Sequence, residues 1–281
     1  MKSILQLLCL LLCGVVLPAG CFSGAAAEEM SLYVLNVGKA DSMILRSGDN
    51  CYLIDTGRGK TWEITEAAMA AEGITHLDAV IITHMDSDHV GGLKKMLKSD
   101  ITADHLYIPP FFLPEKEDEE NPAVKAAGKR DAEVEYLHAG DTLPLGAGSL
   151  TVIGPLTAAR DKEDNNSLVL VAEAASGRFL LAGDMEFPEE AELLAAGVIP
   201  RADVLKVANH GDDDTNSDAL MRAVQPKIAV ISTSTAEKES TPARRVMELL
   251  DQWGVTVYQT QHSQTGVLLT LRDGELQAEI R

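Results

Sequence analysis

Apolar residues fall in short runs whose spacing changes along the chain. Residues 32–36, 42–46 and 52–54 are compact runs separated by Gly and Asp turn signals, the pattern of strands. Residues 61–71 carry apolar side chains at helical intervals. Residues 79–83 form a continuous apolar run, as in a buried strand, that leads straight into His84, and a helical pattern restarts over 90–97. The stretch 114–122, Pro-Glu-Lys-Glu-Asp-Glu-Glu-Asn-Pro, interrupts this order. It reads as a surface loop with a short helix, placed over the mouth of a site. Beyond it, strands are expected at 150–153, 168–173, 178–181, 204–207, 228–232, 257–259 and 267–271. Helices are expected at 188–196, 217–224 and 242–253. Each half has hairpins followed by strand–helix alternation. That predicts an α/β fold of two mixed sheets face to face with helices outside, an αββα sandwich.

The first 27 residues do not fit that pattern. Lys2, an apolar run over 4–17 and small residues through Ala27 describe a signal peptide, too short in its apolar part to span a bilayer. Leu17-Pro18-Ala19-Gly20-Cys21 resembles a lipoprotein cleavage box, although Pro18 stands where a leucine is usual. Lipid on Cys21 would tether the chain to the outer face of the cytoplasmic membrane. Cleavage after Ala25-Ala26-Ala27 would instead give a secreted protein. The expected division is a leader over 1–27 and one domain over 28–281. Of the four cysteines only Cys51 lies beyond the leader, so that domain rests on its core or on metal rather than on an internal disulfide.

The leader holds Lys2 and no acidic residue, which leaves 23 basic against 43 acidic side chains in the rest of the chain. Such a field opposes tight, sequence-indifferent binding of long duplex nucleic acid. It suits gathering of divalent cations.

The densest chemistry is Thr83-His84-Met85-Asp86-Ser87-Asp88-His89-Val90-Gly91-Gly92, at the exit of the buried run. Imidazole nitrogen and carboxylate oxygen both bind zinc and similar ions, and alternate residues of a tight loop can converge on one point. A helix cap would need one such residue, not four. Gly91-Gly92 disfavours the helix it opens by about 1 kcal/mol per residue relative to alanine, so a close backbone approach is expected there. Three more apolar runs end in candidate ligands: Asp55, Asp184 and His210. Alone, each is an ordinary turn residue; together with the cluster they form a set.

In that order these segments resemble the metallo-β-lactamase superfamily, specifically the hydrolase domain of ComEC-type DNA-uptake proteins and their free-standing relatives. Leu35-Asn36-Val37-Gly38-Lys39-Ala40-Asp41-Ser42 is similar to the family's Val-Gly-Gln-Gly-Asp-Ser opening. Asp86 matches the subfamily form in which the second histidine of the usual motif is an aspartate. Asp164-Asn165-Asn166-Ser167 resembles its asparagine-rich strand start, Gly183-Asp184 the bridging aspartate, and His210-Gly211 the histidine-glycine before a polar loop. The resemblance implies two divalent metal ions, zinc or manganese, sharing Asp184. One ion would be held by His84 and Asp86 with Asn165 or Asn166 nearby, the other by Asp88, His89 and His210. It implies hydrolysis by a bridging hydroxide, with Asp88, Asp184 and His210 as catalytic residues. Lys206 and Asp212 are candidates to position substrate, although Lys206 reads more readily as a solvent-facing strand-end residue.

The departures bear on function. Asp86 and the asparagines remove two usual imidazoles, which argues against β-lactamase activity and points the first site towards harder ions such as Mn²⁺. The subfamily's paired histidines appear as Asn209-His210, its following serine as Asp212, and a later histidine-proline as Thr241-Pro242. The expected substrate is a small molecule or short phosphodiester, a nucleotide or nucleic-acid fragment. The alternatives are an esterase or thioesterase on a small substrate and a metal-binding lipoprotein without turnover. His76, His105, His138 and His262 have no ligand-like context.

Overall fold

The computed structural model describes residues 29–281; the leader and Cys21 lie outside the described residues. The first sheet is laid down by β1 (Glu29–Leu35), β2 (Met43–Ser47), β3 (Asn50–Ile54), β4 (His76–Ile81), β5 (Thr102–Ile108) and the short β6 (Glu135–Tyr136). The second comprises β7 (Thr142–Leu145), β8 (Gly148–Gly154), β9 (Val169–Ala174), β10 (Gly177–Leu181), β11 (Val204–Lys206), β12 (Ile228–Ile231) and β13 (Thr256–Gln259). The chain then returns to the first sheet with β14 (Gly266–Arg272) and β15 (Glu275–Ile280), giving the orders β15-β14-β1-β2-β3-β4-β5-β6 and β13-β12-β11-β10-β9-β8-β7. In each sheet an antiparallel part passes into a parallel one: β3 to β6 run parallel, as do β10 to β13.

Strand periodicity builds the layers. Successive side chains of a strand point to opposite faces. Leu32 and Val34 of β1 therefore enter the core between the sheets, with Ile54, Ile81, Leu170, Phe179 and Val230. Tyr33 and Leu35 turn the other way, towards α1 (Trp62–Ala71), α2 (Leu93–Met96) and α3 (Pro122–Gly128), whose Trp62, Leu93 and Ala127 cover that face. The second sheet is covered in the same way by Leu193, Leu220 and Leu250 of α4 (Phe187–Ala196), α5 (Asp218–Val224) and α6 (Arg244–Gln252). This is the expected αββα sandwich.

One expectation changes and another is met. None of residues 114–122 of the acidic break lines the cleft at the site. The break leads into α3, whose first turn is capped by the Asn121 side chain accepting from Ala123 N (2.9 Å) and Val124 N (3.2 Å). The buried Ala123 and Ala127 of that helix seat it on the outer layer. The close approach at Gly91-Gly92 is made to backbone: a Cβ on Gly92 would lie 2.2 Å from the Thr56 carbonyl oxygen, and one on Gly91 2.2 Å from that of Ser87. Gly92 N donates to Gly57 O (2.8 Å) and Thr56 N to His89 O (2.8 Å), which ties the metal-type loop to the end of β3.

Candidate metal centre

The site lies beyond the carboxyl ends of the parallel strands, where open α/β sheets commonly bind ligands. β3 ends one residue before Asp55, and β4 leads into Thr83 and His84. From the second sheet, β10 delivers Asp184, β11 delivers His210, and a 3-10 turn at Glu163–Asn166 precedes β9. Asn209 (φ 42°) and His210 (φ 54°) adopt the left-handed backbone that non-glycine residues avoid. The turn is held by Asn209 N donating to Gly183 O (3.1 Å) and Ala243 N to Gly211 O (2.7 Å). Strain of this kind persists only where surrounding structure enforces it.

The candidate ligands converge. Ligand atoms of Asp88, His89 and His210 lie within 4.8 Å of one another, as do those of His84, His89 and Asp184 and those of His84, Asp86 and Asp164. Asp184 Oδ2 stands 3.3 Å from Nε2 of both His89 and His210, so it borders both sets. Nε2 of His84, His89 and His210 and Oδ1 of Asp184 are buried without a hydrogen-bond partner. The opposite ring nitrogens are engaged. His89 Nδ1 donates to Asp55 Oδ2 (2.8 Å) and His210 Nδ1 to the Ser232 carbonyl (2.8 Å), while His84 Nδ1 lies 3.2 Å from Thr83 Oγ1. Asp55 is itself fixed by donors from Thr83 N and Oγ1, both at 2.8 Å. Leaving a buried polar atom unpaired costs about 1–3 kcal/mol. Four such atoms facing one another, with their rings oriented from behind, are what metal-binding histidines require. The residues therefore fit divalent cations.

The charges of these groups are set by burial and by one another. Burial, aided by the neighbouring His89, holds His84 below the usual histidine value, towards its neutral, ligating form. For His89 burial acts downward but is outweighed by Asp184 and Asp55, which hold its proton well above the usual range. For Asp184 burial acts upward and is outweighed by His210 and His89, so it stays ionised. Asp164 is pushed up to about 8 by burial and then by Asp184, Asp86 and Glu186. A carboxyl held neutral by burial among acidic neighbours is where a cation gains most.

Three readings of single residues are corrected. Asn165 does not turn to the ligand cluster: its Oδ1 accepts from Glu186 N (3.2 Å) and Glu189 N (3.4 Å), and its Nδ2 donates to Glu186 Oε2 (3.2 Å), serving the start of α4. Asn166 is also committed, accepting from Ala159 N (2.8 Å) and donating to Glu163 Oε2 (2.9 Å). Asp164, in the same turn, faces His84 Nε2 at 3.8 Å and takes the place expected of them. Lys206 neither meets solvent nor reaches the cleft; it is fully buried and forms an ion pair with Asp41 Oδ2 (2.8 Å). Asp41 also accepts from Ser232 Oγ and lies 3.8 Å from His210 Nδ1, so the pair backs a ligand. Asp212 does line the cleft, paired with Lys238. His76, His105 and His138 are exposed beside Asp104, Glu135 and Asp141, away from the site.

The ligands open into a cleft of about 680 Å³ lined by Asp86, Asp88, Asp164 and Asp184, with Lys39, Lys162 and Lys238 among its cations. Lys39 Nζ (3.4 Å) and Arg58 (3.1 Å) both approach Asp88 Oδ2.

A fold of facing mixed sheets with a His/Asp centre at its strand ends defines a metal-dependent hydrolase class. The chain belongs to the metallo-beta-lactamase superfamily, whose family model matches residues 35–235. It is 29% identical to ComE operon protein 3 of Bacillus subtilis over 257 residues, 85% of this chain and 33% of that protein. It is 26% identical to Recombination protein 2 of Haemophilus influenzae over 256 residues, 89% of this chain and 30% of that protein. The chain thus spans about a third of the length of these curated relatives. Among solved structures it resembles the metallo-beta-lactamase fold protein YhfI from Bacillus subtilis, with TM-score 0.55 and 14% identity over 86% of this chain and 99% of that one. The last likeness concerns the fold alone. The chain is accordingly an enzyme of the metal-dependent hydrolase superfamily and a relative of the ComEC-type proteins.

Proposed function

We propose that this enzyme is a phosphodiesterase of nucleotides or short nucleic-acid fragments, acting outside the cytoplasm. One divalent cation, zinc or manganese, would be held by Asp88, His89 and His210, a second by His84, Asp86 and Asp164, with Asp184 shared. The observation that carries this reading is the convergence on Asp184 of two ligand sets whose imidazole Nε2 atoms have no hydrogen-bond partner. Bound there, such cations supply Lewis-acid activation of water and stabilise charge developing at the reacting centre. The chain's own residues do the rest. Asp55 and the Ser232 carbonyl fix the rings of His89 and His210. Lys39, Lys162 and Lys238 are placed to meet anionic oxygens of a substrate.

Charge sets the kind of anion. Eight carboxylates and three lysines line the cleft, a balance of −5 that two divalent cations would bring to −1. A near-neutral mouth on an acidic chain suits a short phosphodiester and works against a long duplex. The same acidity favours, as a second reading, a small neutral ester or thioester. Elemental analysis of the purified protein, with chromogenic phosphodiesters, esters and cephalosporins offered with Zn²⁺ and Mn²⁺, tests these readings. Two ions per chain and cleavage of bis-p-nitrophenyl phosphate are expected. Ester cleavage alone would move the assignment to the second reading, and bound metal without any turnover to a binding lipoprotein.

Export is part of the proposal and rests on the apolar leader and the Cys21 box. Among the described residues no helix is long and apolar enough to cross a membrane. Intact mass of the membrane fraction should show lipid on Cys21; a mature start at Glu28 would mean ordinary secretion.

A further inference from the structure

We propose that Phe187 is a base-stacking platform: the aromatic base of a nucleotide lies against its ring while the phosphate is held at the lysine-bearing cleft. The inference rests on the phosphodiester reading and adds to it how the substrate's organic part is chosen. Of the thirteen residues lining the cleft, Phe187 is the only one that is neither charged nor an amide. The residue is 39% exposed. An aromatic ring left open among carboxylates and lysines contributes little to folding, and a large apolar group in that setting is informative.

The ring is also held in place. Phe187 N donates to Asp214 O (3.0 Å), and the Arg245 guanidinium lies 5.3 Å from the ring centroid in a cation–π arrangement. Arg245 is tied in turn to the carbonyls of Asp213 (2.9 Å), Thr215 and Asn216 (3.1 Å). A platform fixed before binding spares the ligand the ordering of a mobile side chain. Lys162, which pairs with Glu186 (2.6 Å) and Asp214 (2.8 Å), lines the same cleft as Phe187. Phe187 follows Asp184 by three residues, which limits the separation of their Cα atoms to about 11 Å. An aromatic surface and a cation site within that span, with an ammonium in the same cleft, match a ligand with a flat ring at one end and a phosphate at the other. A single nucleotide has that form.

Binding of adenosine 5′-monophosphate and ribose 5-phosphate to the metal-loaded protein, measured by calorimetry, tests the proposal. The wild type should bind the nucleotide about tenfold more tightly, within the range of base–aromatic stacking. In Phe187→Ala that preference should disappear. Phe187→Trp should keep it, and the fluorescence added by the new indole should be quenched by the nucleotide but not by the sugar phosphate. Equal affinities in the wild type, or a preference that survives Phe187→Ala, would overturn the platform while leaving the phosphodiester reading intact. If neither phosphate binds and bis-p-nitrophenyl phosphate is not cleaved, both fail together.

Discussion

Replacing Lys206 with methionine separates a structural lysine from a substrate-binding one. Lys206 Nζ lies 2.8 Å from Asp41 Oδ2, and both side chains are fully buried. Methionine keeps most of the aliphatic stem, so the main loss is the charge that compensates Asp41. Removing one partner of a buried pair costs about 3–5 kcal/mol, because the remaining charge is left without compensation. For a chain of this size that corresponds to a fall in Tm of roughly 6–20 °C. Asp41→Asn should cost a similar amount by stranding the lysine. The double variant should lose at least about 2 kcal/mol less than the sum of the two, since neither then carries an unpaired charge. Urea unfolding of the three variants, with metal removed by chelation, isolates this effect from ligand binding. A single Lys206→Met variant within about 1 kcal/mol of wild type, which is what solvent-facing positions give, or strict additivity in the double, would refute the buried-pair account.

Gly92→Ala should lower Tm sharply, because the new Cβ would sit 2.2 Å from the Thr56 carbonyl oxygen; an unchanged melting curve would contradict that close approach. Asp164→Ala should reduce the metal retained after dialysis while Asn165→Ala leaves it unchanged, and elemental analysis giving the reverse would restore the asparagine as the ligand. Glu189 is fully buried with both carboxylate oxygens unpaired, and burial, then Glu192, holds its proton well above the usual carboxyl value. Its folded form is therefore favoured at low pH and loses stability as pH rises from the unfolded value towards the folded one. Glu189→Gln should match the wild type near pH 4.5 and become progressively more stable than it by pH 8. A difference in Tm that does not change with pH would refute this.

The legible parts of the sequence were those where chemistry or periodicity forces a residue type. A tight loop carrying His84, Asp86, Asp88 and His89 after a buried run has few other uses, and Asp184 and His210 end apolar strands as ligands in such folds do. The asparagines were misread because a 3-10 turn has about three residues per turn. Adjacent side chains thus face very different directions, and the sequence does not say which of Asp164, Asn165 and Asn166 meets the cleft. Lys206 was misread because one cation in an apolar strand looks solvent-facing. Its partner Asp41 lies far away in sequence, and only packing of the two sheets brings them together. Four strands have no counterpart in the sequence pattern for a related reason, one of them, β6, being only the exposed pair Glu135–Tyr136. β7 contains Pro144 and lies at a sheet edge, β15 is an edge strand with no residue below intermediate exposure, and the first four residues of β5 are exposed. Such strands lack the apolar alternation that marks a half-buried one.

The division of the site between the sheets accounts for how its ligands are kept in register. His84, Asp86, Asp88 and His89 follow β4, whereas Asp164, Asp184 and His210 border β9, β10 and β11. Every distance between Asp184 and His89 is thus a distance between sheets. It is set by the core that Leu32, Ile54, Phe179 and Leu181 fill, packed too densely to slide without loss of contacts. Direct ties reinforce it: Leu168 N donates to Thr83 O (2.8 Å), and Ser232 Oγ at the end of β12 reaches Asp41 in the loop after β1. The Lys206–Asp41 pair is a third such tie, a cation from β11 against an anion from the opposite sheet, placed directly behind His210. A buried ion pair is a weak device for stability alone. Between two sheets that must present unpartnered imidazoles to one point, its contribution is geometric: the 2.8 Å contact is met only when β11 and the loop after β1 stand opposite each other.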